Sequence, residues 1–160
     1  MAKSSKPTEL NVPPAFSGTG QLLLYTRYGD PRETGFEPKW MMLWDIRKAF
    51  PWFPKRSIYI HKHFRPMLEA AFHELVLTNL HEEIKTYDGC FNIRMVRGSR
   101  SVLSTHAWGA AIDLNARENP LGSAGKWSPQ FITVMEKHEV CCGQSWKGRK
   151  DPMHFAMVDG

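Results

Sequence analysis

A chain of 160 residues, 42% hydrophobic and 23% charged, has room for one sizeable core and not for two comfortable domains. Its charge of +5 and pI near 9.2 are moderately basic, but lysine and arginine are scattered (Lys3, Lys6, Arg27, Lys55, Arg56, Lys147, Arg149, Lys150), which argues for a solvated surface and against a nucleic-acid stripe. No segment nears the roughly 20 apolar residues of a bilayer span, and Met1 to Pro7 has positive charge with no apolar stretch behind it, so neither membrane insertion nor a secretory signal is expected.

Residues 1–20 contain Pro7, Pro13, Pro14, Gly18 and Gly20 and read as a flexible arm, leaving 21–160 as a single domain. Leu22 to Tyr25 reads as a short strand. From Gly29 to Phe53 proline and aromatics dominate, with a helical piece around Met41 to Phe50 that Pro51 and Pro54 end. Trp40, Trp44, Trp52 and Phe53 read as packing residues rather than a carbohydrate surface. The pair His61 and His63 has no third partner nearby, which favours a surface or helix-entry role. The clearest helix runs from Pro66 to about His81, with Met67, Leu68, Ala71, Phe72, Leu75 and Leu80 at helical spacing and His73 and Glu74 facing water.

Asp88-Gly89 marks a turn. The strand expected next, Phe91 to Val96, sets Phe91, Ile93 and Met95 on one face and Asn92 and Arg94 on the other, with Arg97 and Arg100 at or beyond its end. Ser128-Pro129 reads as a helix start, with Phe131, Ile132 and Met135 as the buried stripe. The loop from Asn119 to Gly125 should border any cleft. Cys90, Cys141 and Cys142 make an odd set with an adjacent pair, which is no disulfide framework; with His138 they lack a second ligand pair and read as small buried residues.

Two stretches carry chemistry. In Ser104-Thr105-His106-Ala107-Trp108-Gly109-Ala110-Ala111-Ile112-Asp113-Leu114-Asn115, a histidine precedes an aspartate across a glycine turn, and Ile112 and Leu114 alternate with Asp113 and Asn115 as in a half-buried strand. In Asp151-Pro152-Met153-His154-Phe155-Ala156-Met157-Val158, a second histidine emerges at a strand start. His106, Asp113 and His154 form a two-histidine, one-carboxylate set, the open three-ligand pattern of a catalytic zinc site. Asp151 is left over as a candidate general base.

The pattern Ser-x-His-x6-Asp, followed by Asp-x-x-His-Phe, resembles the zinc D-alanyl-D-alanine carboxypeptidase family, whose relatives include the L-alanyl-D-glutamate endopeptidases that serve as phage endolysins. Similarity runs from about Tyr87 to the end, with a weaker echo from Tyr28-Gly29-Asp30-Pro31 through the central helix. The resemblance implies an α+β fold in which a small antiparallel sheet carries Arg94, Asp113 and His154 against the helices near 66–81 and 128–138. It implies one Zn2+ per chain on His106, Asp113 and His154, with Asp151 as base. An arginine upstream of the first histidine does catalytic work in the family; by face and spacing that role falls to Arg94, with Arg97 in reserve. Ser104, Trp108 and Trp146 are the candidate substrate contacts.

The implied partner is the peptide of bacterial peptidoglycan, with delivery by a membrane-permeabilising protein or a virion. Many carboxypeptidase members have glutamate where this chain has Asp151, which resembles the endolysin branch and favours a stem-peptide endopeptidase. The alternatives are a D-alanyl-D-alanine carboxypeptidase of wall remodelling and a virion-associated, wall-binding zinc protein without catalysis.

Overall fold

The computed structural model describes residues 11–160, so the first half of the expected arm, residues 1–10, lies outside the described residues. From Pro14 onward the arm reading does not hold. Pro14–Phe16 forms a 3-10 turn with Ala15 and Phe16 buried, and helix α1 (Thr19–Tyr28) follows directly. Leu22 to Tyr25 is therefore helical and not a strand. Leu24 is fully buried while Leu22 and Leu23 are exposed, a helical division that four consecutive apolar residues conceal in the sequence. Gly29, at φ +82, ends the helix with its N–H on the Tyr25 carbonyl.

After the short helix α2 (Phe36–Trp40), the expected helix at Met41 to Phe50 is replaced by strand β1 (Met41–Trp44) and a 3-10 turn, Ile46–Lys48. Ile46 and Phe50 both reach the core from this single turn and give the segment its helix-like spacing. β1 pairs antiparallel with β2 (Ile58–His61) in a two-stranded sheet. Trp44 and Phe53 are buried, in keeping with a packing role.

Helix α3 (Phe64–Leu77) begins two residues before Pro66, which stands in its first turn, and buries Phe64, Leu68, Ala71, Phe72 and Leu75. It stops before His81 because Asn79 takes a left-handed conformation (φ 57) and Leu80 starts a separate 3-10 turn, Leu80–Glu83. Helix α4 (Pro129–Lys137) starts as its sequence indicates: the Ser128 hydroxyl accepts from the Phe131 N–H at 3.1 Å, and Phe131, Ile132 and Met135 are buried.

The second sheet has four antiparallel strands in the order β3 (Tyr87–Gly89), β4 (Ala111–Leu114), β6 (Asp151–Ala156) and β5 (Cys141–Gly143). Ile112, Leu114 and Phe155 turn one face of it into the core that α3 and α4 cover, and Trp127 stacks on Phe131 at 4.3 Å beside Phe155. Full burial of side chains this large stabilises by about 1.5–3 kcal/mol each and fixes the sheet under the polar face. The architecture is α+β with antiparallel sheets, as expected.

Phe91 to Val96 is not a strand of this sheet. The segment runs as a loose hairpin arm against residues 102–106, joined by Asn92 N–H to His106 O, Ser104 N–H to Arg94 O and Val96 N–H to Val102 O, with one bridge between Met95 and Leu103. Its partner is the local return of the chain rather than β4, and Ile93, expected inside, is 43% exposed.

Candidate metal centre

Local structure explains the spacing of the first motif. Ser104 caps a 3-10 turn, Thr105–Trp108, accepting from the His106 N–H at 3.3 Å. Gly109 then turns the chain at φ +63, where a side chain would run into Met41, and β4 begins. The turn and half a strand bring Asp113 under His106. On β6, His154 is the direct cross-strand partner of Asp113. His106 Nε2 lies 3.2 Å from Asp113 Oδ2, His154 Nδ1 lies 3.7 Å from Asp113 Oδ1, and the three ligand atoms fall within 4.8 Å of one another.

Both rings have their far nitrogen tied to a backbone carbonyl. His106 Nδ1 donates to Cys90 O at 2.7 Å, and His154 Nε2 donates to Gly160 O at 2.9 Å. A carbonyl only accepts, so the proton sits on the far nitrogen and the near one keeps its lone pair for a cation. His106 Nε2 and Asp113 Oδ1 are buried without a hydrogen-bond partner, an arrangement that costs stability unless something positive lies between them. The donor set of two imidazoles and one carboxylate, with one direction open, fits zinc.

Electrostatics agree. Burial alone would raise the Asp113 carboxyl, but the His106 and His154 imidazoles beside it outweigh burial and hold the group well below the usual carboxylate range. Burial alone would lower His154, and Asp113 reverses that, so its pKa is raised. Asp151 goes the other way from Asp113: burial pushes its carboxyl up, with His154 opposing. Its Oδ1 is also buried and without a partner.

The centre opens into a cleft whose walls include Arg94, Arg97, Ser104, Trp146, Asp151 and the loop residue Leu121. Arg94 thus reaches the cleft, although it stands on the hairpin arm and not on the sheet. The Trp146 ring lies 5.5 Å from the His154 ring. Trp108, expected to contact substrate, does not line the cleft: it is fully buried against Phe16, and its indole N–H is held by Gly29 O at 2.9 Å. The cluster at His138 is no ligand set either, since His106, Asp113 and His154 are the only such group among the described residues. Cys90, Thr105 and Gly160 were not foreseen at the site. Two of them act through main-chain oxygens, which leave no mark in a sequence, and Thr105 had only its place beside His106 to mark it.

Neither curated proteins nor solved structures gave a match to this chain. A family comparison did, over residues 97–157, a span that contains His106, Asp113, Asp151 and His154 and begins three residues after Arg94. That match and the donor set it encloses bear out the resemblance carried by the motifs: over residues 97–157 the chain is similar to the D-alanyl-D-alanine carboxypeptidase family.

Proposed function

We propose that the protein is a zinc peptidase that hydrolyses the peptide stems or cross-links of bacterial peptidoglycan, as an endopeptidase of the endolysin type. The observation that carries this reading is the His106, Asp113, His154 set with a buried, partnerless Asp151 oxygen on the same cleft. His106, Asp113 and His154 would hold a Zn2+ ion, which would supply Lewis acidity and lower the pKa of water from about 15.7 to roughly 7. Asp151 takes the proton from the attacking water and hands it to the leaving amine; its raised pKa suits both halves of that transfer. Arg94, on the cleft wall, steadies the charge that develops on the peptide oxygen, and Arg97, whose charge reaches Asp151, stands in reserve.

Two features favour an internal cut in an acidic stem peptide. Asp151 replaces the glutamate of many carboxypeptidases. Arg94, Arg97 and Arg149 all line the cleft, and among the described residues none forms an ion pair. Such a cleft attracts carboxylates. Incubation of zinc-loaded protein with purified muropeptides, with products identified by mass spectrometry, tests this. Fragments cut within the stem are expected; release of only the terminal D-alanine would make it a carboxypeptidase, and intact muropeptides would make it a binding protein.

A further inference from the structure

Residues 158–160 lie outside the family match, yet three separate parts of the chain converge on Asp159 and Gly160. The Gly160 carbonyl oxygen accepts from His154 Nε2 at 2.9 Å and from the Thr105 hydroxyl at 3.1 Å. The Asp159 carboxylate accepts from the Trp146 indole N–H at 2.9 Å. From the other side, α1 presses on the same segment. Gly20 stands so close to the Asp159 carbonyl that any side chain there would collide with it, and the same Cβ would lie 3.0 Å from Val158. Gln21, buried beside it, anchors the helix by donating to Leu103 O at 3.0 Å.

We propose that Asp159–Gly160, clamped by Gly20, Thr105 and Trp146, is the positioning element of His154, and so sets the affinity of the metal centre from outside the matched segment. The inference rests on the zinc reading of that centre. A histidine ligand must present a bare nitrogen in a fixed direction. On His106 the partner that ensures this is Cys90 O; on His154 it is Gly160 O, with Thr105 Oγ1 at 3.4 Å from the same nitrogen. Loss of such an outer partner typically weakens a metal 10- to 100-fold. Gly20, Thr105 and Trp146 are outside the ligand set and reach it through Asp159–Gly160, the His154 ring or, for Thr105, the turn shared with His106, so they are positioning residues rather than catalytic ones.

The test is zinc affinity, measured by competition with a chromophoric chelator, together with thermal melting of the metal-free protein. Removal of residues 159–160 should weaken zinc 10- to 100-fold. Thr105→Val and Gly20→Ala should each weaken it several-fold, and each by more than its melting temperature accounts for. A purely structural role would move melting and leave affinity untouched. Wild-type affinity in the shortened protein overturns the inference. Should that protein fail to fold, Thr105→Val and Trp146→Phe decide: wild-type affinity in both overturns it equally. A wild type that binds no more zinc than His154→Ala overturns the metal reading, and this inference with it.

Discussion

Two buried histidines of this protein, His154 and His61, sit in environments that act on them oppositely. His154 lies against Asp113, and its pKa is raised even though burial acts to lower it. His61 on β2 is just as inaccessible, but its neighbours are aromatic: Trp40 stacks on it at 5.7 Å, Tyr28 lies 4.2 Å away and Phe36 6.2 Å. Its Nδ1 accepts from the His63 N–H, its Nε2 has no partner, and burial takes its pKa down to about 4. Burial does not make a histidine a ligand. A carboxylate across the strand does, because it gives a cation somewhere to sit. Of the pair read as a surface or helix-entry element, His63 does stand at the entry to α3, whereas His61 is buried among aromatic rings.

The largest effect that could break this comparison is metal loss. His154→Ala and His106→Ala are each expected to abolish zinc binding and all peptidase activity, whereas His61→Ala should keep one zinc per chain; elemental analysis after zinc exposure and gel filtration distinguishes them. Asp151→Ala should come next. It should retain zinc and lose roughly 10² to 10⁴ in turnover, the scale of a positioned acid or base; an empty site in that variant would move Asp151 into the ligand set. Arg94→Ala should lower kcat by about 10² to 10³ with little change in KM, since an oxyanion contact exists mainly in the transition state. Arg97→Ala provides the control, and a loss found there instead would transfer the role.

The smallest effect concerns His61. Its folded pKa lies below the unfolded value of about 6.5, so the unfolded chain binds the proton more readily. His61 therefore costs no stability above pH 6.5, and stability falls as pH drops from 6.5 towards 4, by up to about 3 kcal/mol in all. Denaturant unfolding of His61→Phe beside the wild type should show this difference at pH 4.5 and none at pH 7.5. Equal pH dependence in the two would mean that His61 is not held neutral.

The motif from Ser104 to Asn115 was legible because cap, glycine turn and alternation each have a local cause, and α4 was legible for the same reason. Leu22 to Tyr25 was not, because its helix is fixed by Gly18 and Gly29 at the ends and by Phe16 stacked on Tyr25 at 4.0 Å. Phe91 to Val96 has the alternation of a strand, but which neighbour it would pair with is a tertiary matter, and the return of the chain at 102–106 prevailed. At the centre, the ligands were readable from their chemistry. Trp108 was not, since His106, two residues before it, turns to Asp113 while its own side chain turns to Phe16 and Gly29.

One further consequence lies at Cys90. Its carbonyl orients His106, while its thiol, 3% exposed, sits 3.7 Å from Gly109 O with its pKa pushed far up by burial. Thiolate is the form that alkylates and oxidises, so this sulfur is inert while the fold is closed. An iodoacetamide molecule can reach it only when the backbone that holds His106 has parted. The alkylation rate of Cys90 is therefore a clock for opening of the metal centre, and saturating zinc should slow it.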